Sequence, residues 1–195
     1  MKIESIGVMS PGDMGQAVAQ QLKAKGYKVC TALDGRSARS KALAQAAGLT
    51  DVGTIAKLTE SCDLILSIMN PGSALDFAGE VARALAANRH SPLLVDCNAI
   101  SPVTMRAIDA LVTAAGGRCA DGGIIGPPPR GAAKVALYVS GPEARALEQL
   151  ITPQLAVRVL SERIGDASAI KMCYGAMTKG VQALVLELLV AARRL

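Results

Sequence analysis

The sequence predicts an α/β fold, a doubly wound parallel sheet with helices on both faces, followed by a long C-terminal helix. Short apolar runs alternate with segments of helical spacing through the first 164 residues, which is the pattern of such a sheet. Small aliphatic side chains, 19 glycines, one Phe and no Trp suit helices packed tightly on parallel strands. After residue 165 only Gly175 and Gly180 interrupt the helical pattern. We therefore expect a sheet domain over 1–164 and a long helix over 165–195, the start of an all-α second domain that is absent or truncated.

The expected elements follow one another at short intervals. Continuous apolar runs that end at turn residues indicate buried strands, which are expected at residues 3–9, 28–33, 62–69, 93–96, 118–125, 134–140 and 156–160. Segments of helical spacing lie between them, at residues 14–25, 38–47, 54–59, 73–87, 101–115 and 142–150. Gly26 and Gly48 stop the first two helices, and Pro102 stands in the first turn of a later one.

Composition narrows the classes of function. The net charge of +5 is modest and spread along the chain, so it favours anionic small molecules over nucleic acid, which needs basic clusters and stacking aromatics. No apolar run reaches membrane-spanning length without a charge, and no N-terminal signal precedes the first strand. The five cysteines are widely spaced and there is one His, so no metal site is expected. We expect a cytoplasmic protein with buried, reduced cysteines that binds no membrane.

A turn of small residues separates the first strand from the first helix and predicts a Rossmann-type dinucleotide-binding unit. Gly12 lets the backbone approach a pyrophosphate, Gly15 lets the helix pack close to the strand, and the helix N-terminus offers free N–H groups to the phosphates. The usual G-x-G-x-x-G has Ser10 at its first position here. A strand–turn–helix that binds no ligand would show much the same pattern. The candidate cofactor-binding residues of this turn are Ser10, Pro11, Gly12, Asp13, Met14 and Gly15.

The end of the second expected strand carries both an acidic and a basic candidate. In a dinucleotide fold this end meets the adenosine ribose, where an acidic residue binds the 2′-hydroxyl of NAD and arginine accommodates the 2′-phosphate of NADP. Arg36, Ser37 and Arg39 together would form a phosphate pocket, so we favour NADP, with NAD bound through Asp34 as the alternative. The other interpretation is that the arginines are solvated and Ser37 is an N-cap. Further candidate cofactor contacts follow the next two strands, at Met69, Asn70 and Asn98.

Four short motifs stand in a fixed order along the chain. They are residues 6–15 (I-G-V-M-S-P-G-D-M-G), the strand ending at Asp96 with Ser101-Pro102 after it, residues 121–126 (D-G-G-I-I-G), and Gly165-x-Ala167-x-x-x-Lys171. In this order they resemble the β-hydroxyacid dehydrogenases and the related NAD-binding domain of 6-phosphogluconate dehydrogenase. The matching family patterns are I-G-x-I-G-x-G-x-M-G, D-A-P-V-S-G for substrate binding, and G-x-G-x-x-x-K-x-x-N-N at the start of the helix that links the two domains. The resemblance covers essentially all 195 residues.

The resemblance implies an oxidoreductase that acts on a CH–OH group of a small anionic or carbonyl-bearing substrate, and Arg36 favours NADP as its cofactor. In the family the helix lysine is the catalytic acid/base, and Lys171 matches that position. A lysine whose pKa is lowered beside the cofactor can exchange the hydroxyl proton while hydride moves to or from nicotinamide. The residues in the place of the substrate-binding motif are Gly122, Gly123, Ile124 and Ile125.

The chain departs from the family near this lysine. The family's asparagine four residues after it is Gly175 here, and Tyr174 lies at i+3 on roughly the same helix face. Our hypothesis is that the Tyr174 phenol replaces the lost amide, and that Thr178 adds a second hydroxyl to the substrate site. Ile125 stands where the family has a serine that helps hold a carboxylate, so a carbonyl or imine with an apolar flank fits better than a simple 3-hydroxy acid.

Two further expectations concern the whole chain. The alternative to an enzyme is a dinucleotide-binding module without turnover, either a cofactor sensor or a chain that lacks the domain that closes its site. The last part of the long helix is apolar almost all round, so it needs a covering partner. In the family, helical C-terminal segments of two chains interlock, so we expect a homodimer through this helix, or a truncated chain that aggregates.

Overall fold

The fold is a single sheet with helices on both faces. The computed structural model describes residues 1–88 and 90–194. The strands are β1 Ser5–Met9, β2 Lys28–Thr31, β3 Thr50–Asp51, β4 Leu64–Ser67, β5 Leu93–Asp96, β6 Arg118–Ile125, β7 Val135–Ser140 and β8 Leu155–Ser161. The helices are α1 Asp13–Ala24, α2 Ala38–Ala46, α3 Ile55–Ser61, α4 Ala74–Ala87, α5 Pro102–Ala114 and α6 Asp166–Arg194, with 3-10 turns at Pro71–Ser73 and Ala144–Leu150.

The strand order is β3-β2-β1-β4-β5-β6-β7-β8. The strands from β3 to β6 are parallel, which confirms the predicted doubly wound sheet. The order reverses between β1 and β4, and in open sheets of this kind ligands bind at the carboxyl ends of the strands at such a point. The β1–α1 turn therefore lies where a ligand is expected.

The last two strands depart from the all-parallel expectation. β7 runs antiparallel to β6, and β8 runs parallel to β7. Only residues 126–134 join β6 to β7, and a parallel pair needs a crossover of about a dozen residues or more. The two-residue strand β3 was not predicted, because a segment so short shows no periodicity. The segment predicted as a helix at 142–150 forms a 3-10 turn instead.

Two hydrophobic clusters lie on opposite faces of the sheet, because successive strand residues point to opposite sides. Leu64 and Leu66 of β4 belong to the cluster that includes α1, whereas Ile65 belongs to the cluster that includes α4 and α5. Both faces are thus covered, which is why the strands are continuous apolar runs.

The predicted long helix is confirmed as α6, which has 29 residues and extends about 43 Å at 1.5 Å per residue. Ala167 and Ser168 in its first turn are buried, whereas its apolar second half is exposed. By length and composition it is the one helix of residues 1–88 and 90–194 that meets the requirement for a membrane span, a test that a helix packed against further protein also passes. Leu195, the end of the predicted helix, lies outside the described residues.

Candidate functional site

The turn between β1 and α1 has the two properties expected of its glycines. The Gly12 amide donates to the carbonyl oxygen of Ser10 at 2.8 Å, and Gly12 is the N-cap of α1. A Cβ at Gly15 would lie 2.1 Å from the same Ser10 oxygen, so the helix packs on the turn only with glycine there. A Cβ at Gly12 would meet nothing within 4 Å. The space above Gly12 is therefore open to a ligand.

The first turn of α1 faces this space with unused donors. The amide N–H groups of Asp13, Met14 and Gly15 have no acceptor among residues 1–88 and 90–194, as expected for the first positions of a helix. Pro11 is buried and Met14 packs against the core, so they shape the turn. Free N–H groups and the positive end of the helix dipole favour an anion at this place.

A cleft of about 490 Å³ opens beside the carboxyl ends of β1 and β2. Asp34 and Arg36 both line it, so the acidic and the basic candidate for the ribose are brought together. Ser37 and Arg39 lie outside its lining. Ser37 Oγ accepts the Ser40 amide at 3.2 Å as the N-cap of α2. Of the three residues predicted to form a phosphate pocket, Arg36 alone lines this cleft.

The loop after β4 supplies the next two candidates. Met69 is half-buried and lines the cleft. Asn70 is exposed, and its Oδ1 accepts the Gly72 amide at 3.0 Å, which caps the 3-10 turn after β4. The Asn70 side chain therefore shapes this loop.

Asn98, a predicted cofactor contact, uses its side chain in hydrogen bonds within the protein. It is 3% exposed. Its Oδ1 accepts the Met69 amide at 2.6 Å, and its Nδ2 donates to Ser67 Oγ at 2.8 Å and Asp96 Oδ2 at 2.7 Å. Asn98 thus holds the loop that carries Met69. Burial raises the pKa of Asp96, and hydrogen bonds from Asn98 oppose that rise.

The two glycines predicted to bind substrate, Gly122 and Gly123, lie where neighbouring elements pack closely on β6. Gly122 and Gly123 are buried in β6. A Cβ at Gly123 would lie 2.9 Å from the Ala167 carbonyl oxygen and 3.2 Å from Lys171 Cβ, and one at Gly122 would lie 2.9 Å from Cys97 Sγ. Both positions need glycine because α6 and the end of β5 lie directly against β6.

Lys171 lies over the carboxyl end of β6. It is half-buried, and its Nζ donates to the carbonyl oxygen of Ile124. Burial lowers the pKa of Lys171, as does the nearby Lys179, whereas Cys97 opposes the shift. The Ile124 side chain is in the core at 4% exposure, so only its backbone faces the lysine. The neighbouring Ile125 is half-buried.

Asp121 is the residue that sequence reasoning missed. Its Oδ2 accepts the amides of Gly165 and Ser168, each at 2.9 Å, and its Oδ1 accepts Ser168 Oγ at 2.6 Å. Ser140 Oγ donates to it at 3.0 Å. A buried carboxylate at a helix N-terminus is stabilised by such donors and by the helix dipole. Asp121 fixes the start of α6 and hence the position of Lys171. The acidic residue inside an otherwise apolar strand was the sequence feature that could have indicated this role.

The two hydroxyls predicted near Lys171 differ in availability. Tyr174 is 42% exposed and its phenol has no hydrogen-bond partner within the described part of the chain. Thr178 Oγ1 donates to the Tyr174 carbonyl at 2.9 Å, so the helix backbone uses this hydroxyl. Tyr174 remains a candidate substrate contact.

No metal site is visible among residues 1–88 and 90–194, which contain no group of three or more His, Cys, Asp or Glu side chains able to hold an ion. Four cysteines are buried, as expected, whereas Cys173 on α6 is exposed. Burial raises the pKa of Cys97 and Cys119, so these thiols are poor nucleophiles.

Comparison with known proteins agrees with this geometry. Residues 5–155 match the family described as the NAD binding domain of 6-phosphogluconate dehydrogenase. An uncharacterized 28.5 kDa protein of Methanothermus fervidus, encoded in the 7S RNA 5′ region, is 28% identical over 190 residues, which span 97% of this chain and 71% of that protein.

Solved structures show the same fold. A conserved protein of unknown function, described as structurally similar to 3-hydroxyacid dehydrogenases, matches with a TM-score of 0.80 and 33% identity over 97% of this chain and 70% of that one. An imine reductase variant from Myxococcus stipitatus in complex with NAD+ matches with a TM-score of 0.78 and 24% identity over 99% and 66% of the two chains. The chain therefore belongs to the family of the NAD binding domain of 6-phosphogluconate dehydrogenase.

Proposed function

We propose that the chain binds NADP and takes part in hydride transfer between nicotinamide and a small hydroxy, oxo or imine compound, with Lys171 as the acid/base. The observation that carries this proposal is the setting of Lys171, half-buried at the carboxyl end of β6 with its ammonium against the Ile124 carbonyl. Burial lowers the pKa of Lys171, so it releases a proton at a lower pH than a solvated lysine does.

The β1–α1 turn and the cleft beside it fit a dinucleotide. Gly12 leaves room for a pyrophosphate, and the first turn of α1 offers N–H groups to it. Arg36 lines the cleft, and a guanidinium matches the geometry of a 2′-phosphate. This arginine supports NADP, while Asp34 on the same cleft supports the NAD alternative.

The bound cofactor would supply or accept the hydride. In reduction, Lys171 donates a proton to the substrate oxygen or nitrogen, and its cationic form stabilises the developing negative charge. In oxidation, the neutral amine takes the proton back. Tyr174, exposed one turn further along α6, orients the substrate through its phenol. The apolar side chain of Ile125 favours a carbonyl or imine with an apolar flank over a carboxylate.

The cofactor part of the proposal is tested by titrating the protein with NADPH and NADH while following nicotinamide fluorescence. NADPH is expected to bind about tenfold or more tightly than NADH, because a charge-assisted bond to a phosphate is among the stronger contacts. Arg36→Ala should abolish this preference. Arg39→Ala, the matched change outside the cleft lining, should have the smaller effect. A preference for NADH would assign the ribose to Asp34 and overturn the NADP assignment.

A dinucleotide-binding module without turnover is the second candidate function. It is favoured by Gly175 and Ile125, which replace the family's asparagine and serine, and by the Thr178 hydroxyl, which is bound to the helix backbone. Incubation with NADPH and a panel of carbonyl and imine compounds separates the two candidates. Oxidation of NADPH by the wild type, lost in Lys171→Met, supports the enzyme; tight NADPH binding with no oxidation across the panel supports the module.

A further inference from the structure

The loop of residues 126–134, between β6 and β7, is fastened to α1 at two points. Gln21 Nε2 donates to the Pro129 carbonyl oxygen at 3.1 Å. Arg130 Nη2 donates to Asp13 Oδ1 at 2.6 Å and to the Asp13 carbonyl oxygen at 3.1 Å. Residues 127–129 are consecutive prolines and Pro129 is buried, so Arg130 is carried on a stiff segment. The loop therefore delivers one guanidinium to the first turn of α1.

The ion pair between Arg130 and Asp13 adds little to the stability of the fold, so stability does not explain why Arg130 lies at the first turn of α1. The Arg130 and Asp13 side chains are 47% and 67% exposed, and exposed pairs contribute about 0–1 kcal/mol. Asp13 is instead a problem for ligand binding, since its carboxylate stands in the helix turn whose amides face the open space above Gly12. A pyrophosphate at that turn would meet the Asp13 charge unless a cation neutralised it.

Arg130 has donors to spare. A guanidinium carries five N–H donors, and within residues 1–88 and 90–194 only Nη2 of Arg130 is engaged. Nε and Nη1 are left for a second acceptor. Arginine suits this use because its planar fork binds phosphate oxygens in pairs while it keeps a carboxylate partner.

We infer that Arg130 is a pyrophosphate-binding residue, delivered by the proline loop and held in place by Asp13. The inference rests on the proposed dinucleotide function and adds a ligand for the part of the cofactor that NAD and NADP share. Asp13 orients the guanidinium, and Arg130 cancels the Asp13 charge and reaches the phosphates with its free donors. Arg36 at the cleft binds the 2′-phosphate on the ribose, so the two arginines contact different parts of the same molecule.

The test compares NADPH and NADH binding to the full chain for wild type, Arg130→Ala, Arg36→Ala and Arg158→Ala. Arg158 is exposed on the edge strand β8 and controls for the loss of one positive charge. Arg130→Ala should weaken both dinucleotides by a similar factor, about tenfold or more, whereas Arg36→Ala should weaken NADPH alone. Arg158→Ala should leave both dissociation constants within about twofold of wild type.

A charge-removal variant gives a second, independent readout. Asp13→Asn should bind NADPH at least as tightly as wild type, because the repulsive charge is gone while the asparagine Oδ1 can still accept from Arg130 Nη2 and orient the guanidinium. The double variant Arg130→Ala, Asp13→Asn should recover part of the affinity lost in Arg130→Ala. A circular dichroism melt confirms that each variant is folded.

Three outcomes overturn the inference, and they are distinguishable. Unchanged binding in Arg130→Ala, with wild type binding normally, removes Arg130 from the site and leaves the proposed function intact. Weakening of NADPH but not NADH makes Arg130 a 2′-phosphate contact instead. Failure of the wild type to bind either dinucleotide overturns the proposed function, and this inference with it.

Discussion

Gly12 and Gly15 belong to one turn but need to be glycine for different reasons. Gly15 is a packing position, since a Cβ there would meet the Ser10 backbone oxygen, which is held in the turn. Gly12 has open space around it, so glycine there serves the approach of a ligand. A substitution at Gly15 should therefore lower the stability of the fold, whereas a substitution at Gly12 should weaken dinucleotide binding.

Alanine at each glycine tests this separation. Gly15→Ala forces α1 away from the turn and should lower the free energy of unfolding by about 2 kcal/mol or more, as overpacking does. Gly12→Ala should leave the free energy of unfolding within about 0.5 kcal/mol of wild type and weaken NADPH binding. Urea unfolding and NADPH titration on both variants provide the measurement. Equal stability losses in the two variants would contradict the assignment.

The proton held by Lys171 gives the reaction a pH dependence. Reduction uses the ammonium form, and burial lowers the pKa of Lys171, so kcat/KM for NADPH-dependent reduction should fall as pH rises through a value below the ordinary lysine range. Lys171→Arg keeps its charge to higher pH, so this alkaline fall should vanish while the rate drops by about 100-fold. The same alkaline fall in the arginine variant would assign the titration to another group.

At the scale of elements, α6 depends on β6 for its position. The first turn of α6 is buried against Gly123, and Asp121 accepts three hydrogen bonds from Gly165 and Ser168. Lys171 lies one turn further on, so its place is set by this contact between one strand and one helix end. A change at Asp121 should act on α6 as a unit.

Asp121→Asn is expected to loosen the start of α6. The asparagine amide oxygen can take the place of Oδ2 and accept the Gly165 and Ser168 amides, and the amide nitrogen then faces Ser168 Oγ. The negative charge that strengthens these bonds is lost, which costs about 1–2 kcal/mol. Ser168→Ala removes one donor and should cost about 1 kcal/mol. Urea unfolding and hydrogen exchange of the amides in 165–171 are the measurements. Unchanged exchange in Asp121→Asn would show that other contacts hold the helix.

The sequence predicted helices, strands and turns better than it predicted side-chain contacts between distant parts of the chain. The glycine turn and the long helix each follow from local pattern, so Gly12, Gly15 and α6 were found. The side-chain contacts of Asn98 were not predicted because they involve Ser67 and Met69, which lie about thirty residues away in the chain. Long-range hydrogen bonds of this kind leave no periodic signal, and the same holds for Asp121.

At the scale of the whole molecule, the second half of α6 exposes a large apolar surface that needs a covering partner. Its apolar side chains, including Leu184, Leu186 and Leu189 at 60%, 64% and 65% exposure, form a face that is too apolar for a solvated helix. The sheet domain is complete without it, since both faces of the sheet are already covered. We propose that a second copy of the chain covers this helix.

The homodimer is tested by replacing one leucine at a time with glutamate. Leu186→Glu or Leu189→Glu places a charge in the buried contact of two α6 helices and should raise the dimer dissociation constant by about 100-fold or more. Light scattering of the wild type should give twice the chain mass, and that of each variant the chain mass.

Glu60→Gln on α3 is a control that alters charge away from α6 and should stay dimeric. Because α6 is anchored at its N-terminal end, by Ala167, Ser168 and Lys171, the variants should keep the melting temperature of the sheet domain. A well-behaved wild-type monomer would contradict the proposal, and a wild type that needs detergent or lipid to stay dispersed would instead assign the apolar face to a membrane.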